Sequence, residues 1–200
     1  MNECGDCDLC CSVLPIEDLD FQKPAWTPCV NSACPGCRIY KKRPIVCRAY
    51  ECGWKIFGLS PLWKPNVCGM VVNLGVFPVE SLGIWVTEES GSLWRQEPFW
   101  SNICEMAGAY FFEFQQLTLI YPHGFRKNES KFYAVHPAEK YFIEAEPGDM
   151  IALVDGQLRT MRPELAEDWL RDTKPFMGQH DILKKVAHLG WKIDGRRLTR

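Results

Sequence analysis

From residue 70 onward the apolar positions follow recognisable periods. Runs rich in β-branched and aromatic residues predict strands over residues 70–79, 82–87, 117–121, 131–135, 141–145 and 150–154. Asp155-Gly156 is a tight-turn pair, and it joins the last of these to a strand over 157–160 as a hairpin. Between residues 87 and 117 the period changes from two to between three and four. Pro98 stands where a first-turn residue belongs, and Phe99, Ile103, Met106, Tyr110 and Phe114 then recur on one helical face. Trp100, Ala107 and Phe111 widen that stripe, and Cys104 sits within it as a buried thiol. Shorter stripes predict helices over 163–171, through Leu165, Trp169 and Leu170, and over 181–189, through Ile182, Leu183, Val186 and Leu189.

Residues 1–69 show neither period clearly. Pro15, Pro24, Pro28, Pro35, Pro44, Pro61 and Pro65 interrupt any long element. The expected class is α+β: a Cys-rich, loop-dominated metal-binding N-terminal module packed on a small mixed sheet with helices. The division falls at residues 1–69 and 70–200, and the two parts could also pack as a single domain. A segment so poor in apolar periodicity cannot build an ordinary core unaided, so a bound metal would supply its folding energy.

Composition narrows the class. The chain has 200 residues, 46% apolar and 24% charged, which excludes a mainly disordered protein. Lysine and arginine total 23 against 25 acidic residues, so no overall basic bias points to nucleic acid. The longest apolar runs fall short of the roughly 20 residues a bilayer requires. Residues 1–8 are acidic and Cys-rich and carry no secretory pattern, so a cytoplasmic location is expected.

The 11 cysteines depart from average composition, and nine of them lie within the first 52 residues. A disulfide framework needs an oxidising compartment, and the cysteine total is odd. Clustered thiols in a reducing compartment favour ligation of zinc or iron, for which thiolate is a soft ligand. Cys4, Cys7 and Cys10 repeat at two-residue gaps, and Cys11 follows directly. Two intervening residues let a turn aim both sulfurs at one ion, at about 2.3 Å for zinc. Three such thiols could also hold three corners of an iron–sulfur cluster. Adjacent side chains tend to diverge, so Cys10 and Cys11 are expected to serve different ions or faces, with a buried thiol as the alternative for Cys11.

The second group is Cys29, Cys34, Cys37, Cys47 and Cys52, in which Cys34-Pro35-Gly36-Cys37 repeats the two-residue knuckle. Arg38, Lys41, Lys42, Arg43 and Arg48 surround Cys47. They either offset thiolate charge or bind an anionic substrate, and the shortness of the run favours offset. Arg43 and Arg48 flank Cys47 most closely, where a guanidinium lowers thiol pKa values and donates N–H···S bonds.

The opening Cys4-x2-Cys7-x2-Cys10-Cys11, then Cys29, then Cys37-Arg38-Ile39-Tyr40-x2-Arg43-Pro44-x2-Cys47-Arg48-x-Tyr50-x-Cys52 resembles a bacterial cysteine-cluster family described as a zinc- or iron-chelating domain. The likeness covers residues 4–53. It implies that Cys4, Cys7, Cys10, Cys11, Cys29, Cys37, Cys47 and Cys52 are the ligands, with Cys34 and Cys68 additional to the pattern. Flagellin lysine methylases look like distant relatives with a similar cluster and an iron–sulfur centre. Eight thiolates exceed one four-coordinate ion, so one or two zinc ions, one site with spare thiols, or a multinuclear cluster are all open.

Beyond the cysteines, His123 and His136 occupy loop or strand-end positions and are expected to be exposed and idle. Trp54, Trp63, Trp85, Trp94 and Trp100 are expected to pack the core and the surroundings of the metal. There is no phosphate loop, dinucleotide fingerprint, HExxH or GxSxG. The expected function is metal binding. The alternatives are an iron–sulfur-dependent, transferase-like enzyme with a small substrate, or a zinc-knuckle adaptor for a protein or nucleic-acid partner.

Overall fold

A computed structural model describes residues 5–17, 21–33, 36–75 and 81–162, with two short strands near the C-terminus. Its first third is built from short pieces. Helix α1 (Leu9–Val13) is followed by the paired strands β1 (Ile16–Glu17) and β2 (Gln22–Lys23). Helices α2 (Ile45–Ala49), α3 (Gly53–Ile56) and α4 (Pro65–Cys68) come next. Proline sets their limits: Pro44 precedes α2 and Pro65 opens α4. Gly69 closes α4 in a left-handed conformation, φ 66°, and a Cβ there would lie 2.2 Å from the Ser90 hydroxyl.

The body is a five-stranded mixed sheet. Strands β3 (Met70–Gly75) and β4 (Ser81–Val86) pair antiparallel. The 16-residue helix α5 (Phe99–Phe114) then crosses to β5 (Thr118–Tyr121), which pairs parallel with β4. Strands β6 (Phe132–Val135) and β7 (Phe142–Ala145) extend the sheet antiparallel, giving the order β3-β4-β5-β6-β7. Two hairpins lie outside it: β8 (Met150–Val154) with β9 (Gln157–Met161), and β10 (Lys192–Asp194) with β11 (Arg197–Thr199). The fold is mixed α+β, as the strand and helix periods predict. The expected strand over 70–79 is described as far as Gly75. The helices expected over 163–171 and 181–189 lie outside the described residues.

Alternation along the strands divides the interior into two layers. Met70, Val72, Leu82, Ile84, Val86, Ile120 and Val135 face α5, packing on Ile103, Met106 and Ala107. Val71, Trp85, Leu119, Tyr121 and Ala134 face the other way, onto Val13, Leu14, Phe125 and Leu158. The stretch from 52 to 68 enters the first layer through Cys52, Trp54, Phe57, Trp63 and Cys68. Gly53 makes this approach possible, because a Cβ there would lie 2.5 Å from Val72 Cγ1. Trp54, Trp63, Trp85 and Trp94 are buried, as the core reading expects. Phe114 departs from the expected helix stripe. It is 47% exposed on the last turn, stacked on Tyr110, where the Gln115 side chain donates to the Phe111 and Phe112 carbonyls.

His136 corrects a second expectation, since it is 2% exposed rather than idle at the surface. Its Nδ1 accepts from the Ala138 and Glu139 amides at 3.1 and 2.8 Å. Its Nε2 stands 2.8 Å from the Gly156 carbonyl, so that nitrogen carries the proton. The ring stacks on Tyr141 and ties the β6–β7 turn to the β8–β9 hairpin. His123 is about half exposed and meets Trp26 edge-on. Among the described residues, no helix is long and apolar enough to cross a membrane.

Candidate metal centre

Three stretches of chain carry the described thiols up to Cys52. The first is α1, which bears Cys10 and Cys11, with Cys7 just ahead of it. The Cys11 amide donates to the Asp8 carbonyl at 2.8 Å, and the Asp8 carboxylate accepts from Ser32 at 2.8 Å. The second stretch is the loop from Cys29 to Cys37, joined to α1 by a bond from the Cys29 amide to the Cys11 carbonyl at 3.1 Å. Ser32 and Cys37 form an isolated antiparallel bridge, and the Arg38 amide donates to the Asn31 carbonyl at 2.9 Å. The Asn31 amide donates to Cys29 Sγ at 3.4 Å. The third stretch is α2 with Cys47, followed by Cys52. Cys52 is buried and pairs with Asn73 on the free side of β3.

The electrostatics link these stretches. The Cys10 thiol hydrogen-bonds Cys11, which pushes Cys11 down to about 7 and Cys10 up. Burial raises Cys47, the Cys11 and Cys29 charges add to that, and Arg43 opposes it. Burial also raises Cys10, with further contributions from the Cys52 and Cys7 charges. Cys68 and Cys104 are pushed up to about 11 by burial, which suits neutral packing thiols. The Cys11, Cys29 and Cys37 charges act on Cys47, and the Cys52 and Cys7 charges act on Cys10 and Cys68.

The cations are arranged unequally. Arg43 lies over the Tyr40 ring at 3.8 Å, donates to the Tyr40 carbonyl, and acts on Cys11 and Cys47. Arg48 is exposed on α2 and is not among the main charges acting on any of the shifted thiols. Lys23, which no sequence motif singles out, is 5% exposed; burial lowers its pKa, and the Cys29, Cys11, Cys10 and Cys47 charges oppose that. Beside it opens a cleft of about 830 Å³, lined by Pro15, Gln22, Trp26, Arg126 and Lys127 among others. Lys23 could have drawn attention only through charge pattern. Residues 21–50 hold six cations, Lys23, Arg38, Lys41, Lys42, Arg43 and Arg48, and no carboxylate.

The donor chemistry suits a thiophilic ion: the candidate groups are sulfurs, one accepts from a backbone amide, and Lys23 and Arg43 act on others. Among the described residues, however, no group of three or more Cys, His, Asp or Glu side chains stands close enough together to hold a metal. Cys4 and Cys34 lie outside the described residues. No family model matches the chain, and neither does any curated protein or solved structure.

Proposed function

We propose that the chain is a metal-binding protein that holds zinc or iron through its N-terminal cysteines, in the manner of the chelating cysteine-cluster family it resembles. What supports this reading is the crowding of nine cysteines into the first 52 residues, in a region with almost no apolar interior. Between residues 5 and 51, the fully buried side chains among those described are Val13, Leu14 and Lys23. Eight ligands, Cys4, Cys7, Cys10, Cys11, Cys29, Cys37, Cys47 and Cys52, suit two four-coordinate zinc ions or one cluster, with Cys34 as a further donor. Closing the sulfurs around an ion would draw together groups that electrostatics already couples. Anaerobic purification with elemental analysis tests this. Stoichiometric zinc or iron is expected, reduced in Cys47→Ser and retained in Cys104→Ala. Metal-free wild-type protein with intact structure over residues 5–51 would overturn the reading.

The cleft beside Lys23 favours a second reading, an iron–sulfur-dependent enzyme with a small substrate bound next to the thiols. A brown protein with visible absorption after anaerobic purification would support it. Colourless protein containing zinc would remove it.

A further inference from the structure

We propose that Lys23 is the built-in counter-charge of the thiolate centre, and that it clamps the two cysteine-bearing stretches on either side of it. The inference rests on the metal-binding reading above and extends it to a residue outside the cysteine motifs.

Lys23 is the one charged side chain among the described residues that is fully buried. Its Nζ donates to three main-chain carbonyls, of Thr27 at 2.8 Å, Pro24 at 3.0 Å and Ser12 at 3.4 Å. Ser12 follows Cys11 on α1, and Thr27 stands two residues ahead of Cys29. One ammonium therefore holds together the first and second thiol-bearing stretches, beside the Cys29-to-Cys11 main-chain bond. Carbonyl dipoles solvate a buried ammonium but do not neutralise it, and an uncompensated buried charge is strongly destabilising. Among the described residues Lys23 forms no ion pair with a carboxylate, and residues 21–50 contain none. Asp8, on the approach to α1, is engaged by Ser32. Burial holds the Lys23 ammonium below its ordinary range, and the Cys29, Cys11, Cys10 and Cys47 charges act against that.

The charge arithmetic runs the same way. Four thiolates around one divalent ion leave a net charge of about −2, which a buried site must offset. Arg43 offsets part from the α2 side, at a half-buried position; Lys23 offsets part from the interior. A lysine suits this place better than arginine, because a compact ammonium can donate to three carbonyls at once. Metal-free, the same lysine would be a buried charge with fewer thiolates to offset it. Lys23 thus couples ion loading to the order of the loop between β2 and Cys29.

The test compares Lys23→Met, Lys23→Gln and Lys23→Arg with wild type in the full-length chain, reduced and anaerobic. Cobalt(II) is the probe. Its thiolate charge-transfer band reports ligation, and competition with a chelator gives affinity. Methionine removes charge and donors, glutamine keeps donors without charge, and arginine keeps charge. Both Lys23→Met and Lys23→Gln are expected to bind cobalt about tenfold more weakly, with Lys23→Arg close to wild type. Wild-type affinity in Lys23→Gln would overturn the proposal, whatever Lys23→Met does. Equal loss in all three would also overturn it, since packing and not charge would then be at stake. If Lys23→Met does not fold, the glutamine and arginine variants decide alone. Failure of wild-type protein to form the thiolate band would overturn this inference together with the metal-binding reading. A band in wild type with no effect of Lys23→Gln would remove the inference alone.

Discussion

The sheet with its helix and the thiol-bearing segment are held by different forces. In the sheet, Met70, Val71, Leu82, Ile84, Trp85, Ile103, Met106 and Ile120 are at 0% exposure, and apolar burial of this kind stabilises without any ligand. In residues 5–51 the thiols are half-buried, and the helices run to five residues, too short to persist alone. The segment is stitched by single main-chain bonds, such as Cys29 to Cys11 and Trp26 to Val13, and by Lys23. Where an apolar interior is absent, polar and covalent chemistry has to replace it. The stretch from 52 to 68 belongs with the sheet in this respect, through Trp54 and Trp63.

The largest expected effect separates the two regions outright. A strong chelator under reducing conditions should abolish amide protection across residues 5–51 and leave β4, α5 and β5 protected. Structural zinc of this ligand type contributes about 10–16 kcal/mol to small domains, enough to hold such a segment. Hydrogen exchange reads the outcome, and uniform loss over the whole chain would erase the contrast. The converse experiment is Ile103→Ala, which should cost about 2–5 kcal/mol in urea unfolding while leaving metal content unchanged. A smaller loss, about 1–3 kcal/mol, is expected of His136→Ala, because the Ala138 and Glu139 amides and the Gly156 carbonyl lose their partner. Thermal unfolding should register it with no change in metal affinity.

The smallest effect lies on the sheet surface. Lys131 reaches Glu144 and Glu146, each at 2.8 Å, and its hydrogen bond holds the Glu144 carboxyl below its ordinary value of 4.5. A depressed carboxylate stabilises above its unfolded pKa, and that contribution fades as pH falls through the lower folded value. Lys131→Met should therefore differ slightly from wild type at neutral pH, and the two should converge in acid. Parallel melts at pH 7 and pH 3 would check this, with a gap that widens in acid counting against it.

What the sequence makes legible follows the same division. Strand alternation and the Asp155-Gly156 turn place β4 to β9 within a residue or two, because period and turn chemistry are local. The spacing of Cys4 to Cys52 marks the candidate site, since close thiols are conspicuous in any frame. Their grouping is not legible. It depends on how α1, α2 and the segment around Cys29 are brought together, and helices of five residues are too short to announce themselves as a period. Lys23 and His136 escape notice for a related reason. Each looks like a surface residue until tertiary structure brings three main-chain groups to it.

The isolated pairing of Cys52 with Asn73 has a consequence for solubility. Strand β3 is the last in the sheet, so among the described residues one side of its six-residue backbone has no neighbouring strand. The chain around Cys52 lies along that side and shields it, with Gly53 pressed against Val72. Such open edges are templates for pairing between molecules. A thiol-bearing segment that loosens also loosens the guard over β3. The sheet would remain intact and acquire an adhesive rim, so damage to the cysteines would be felt first as self-association, before any loss of the folded body.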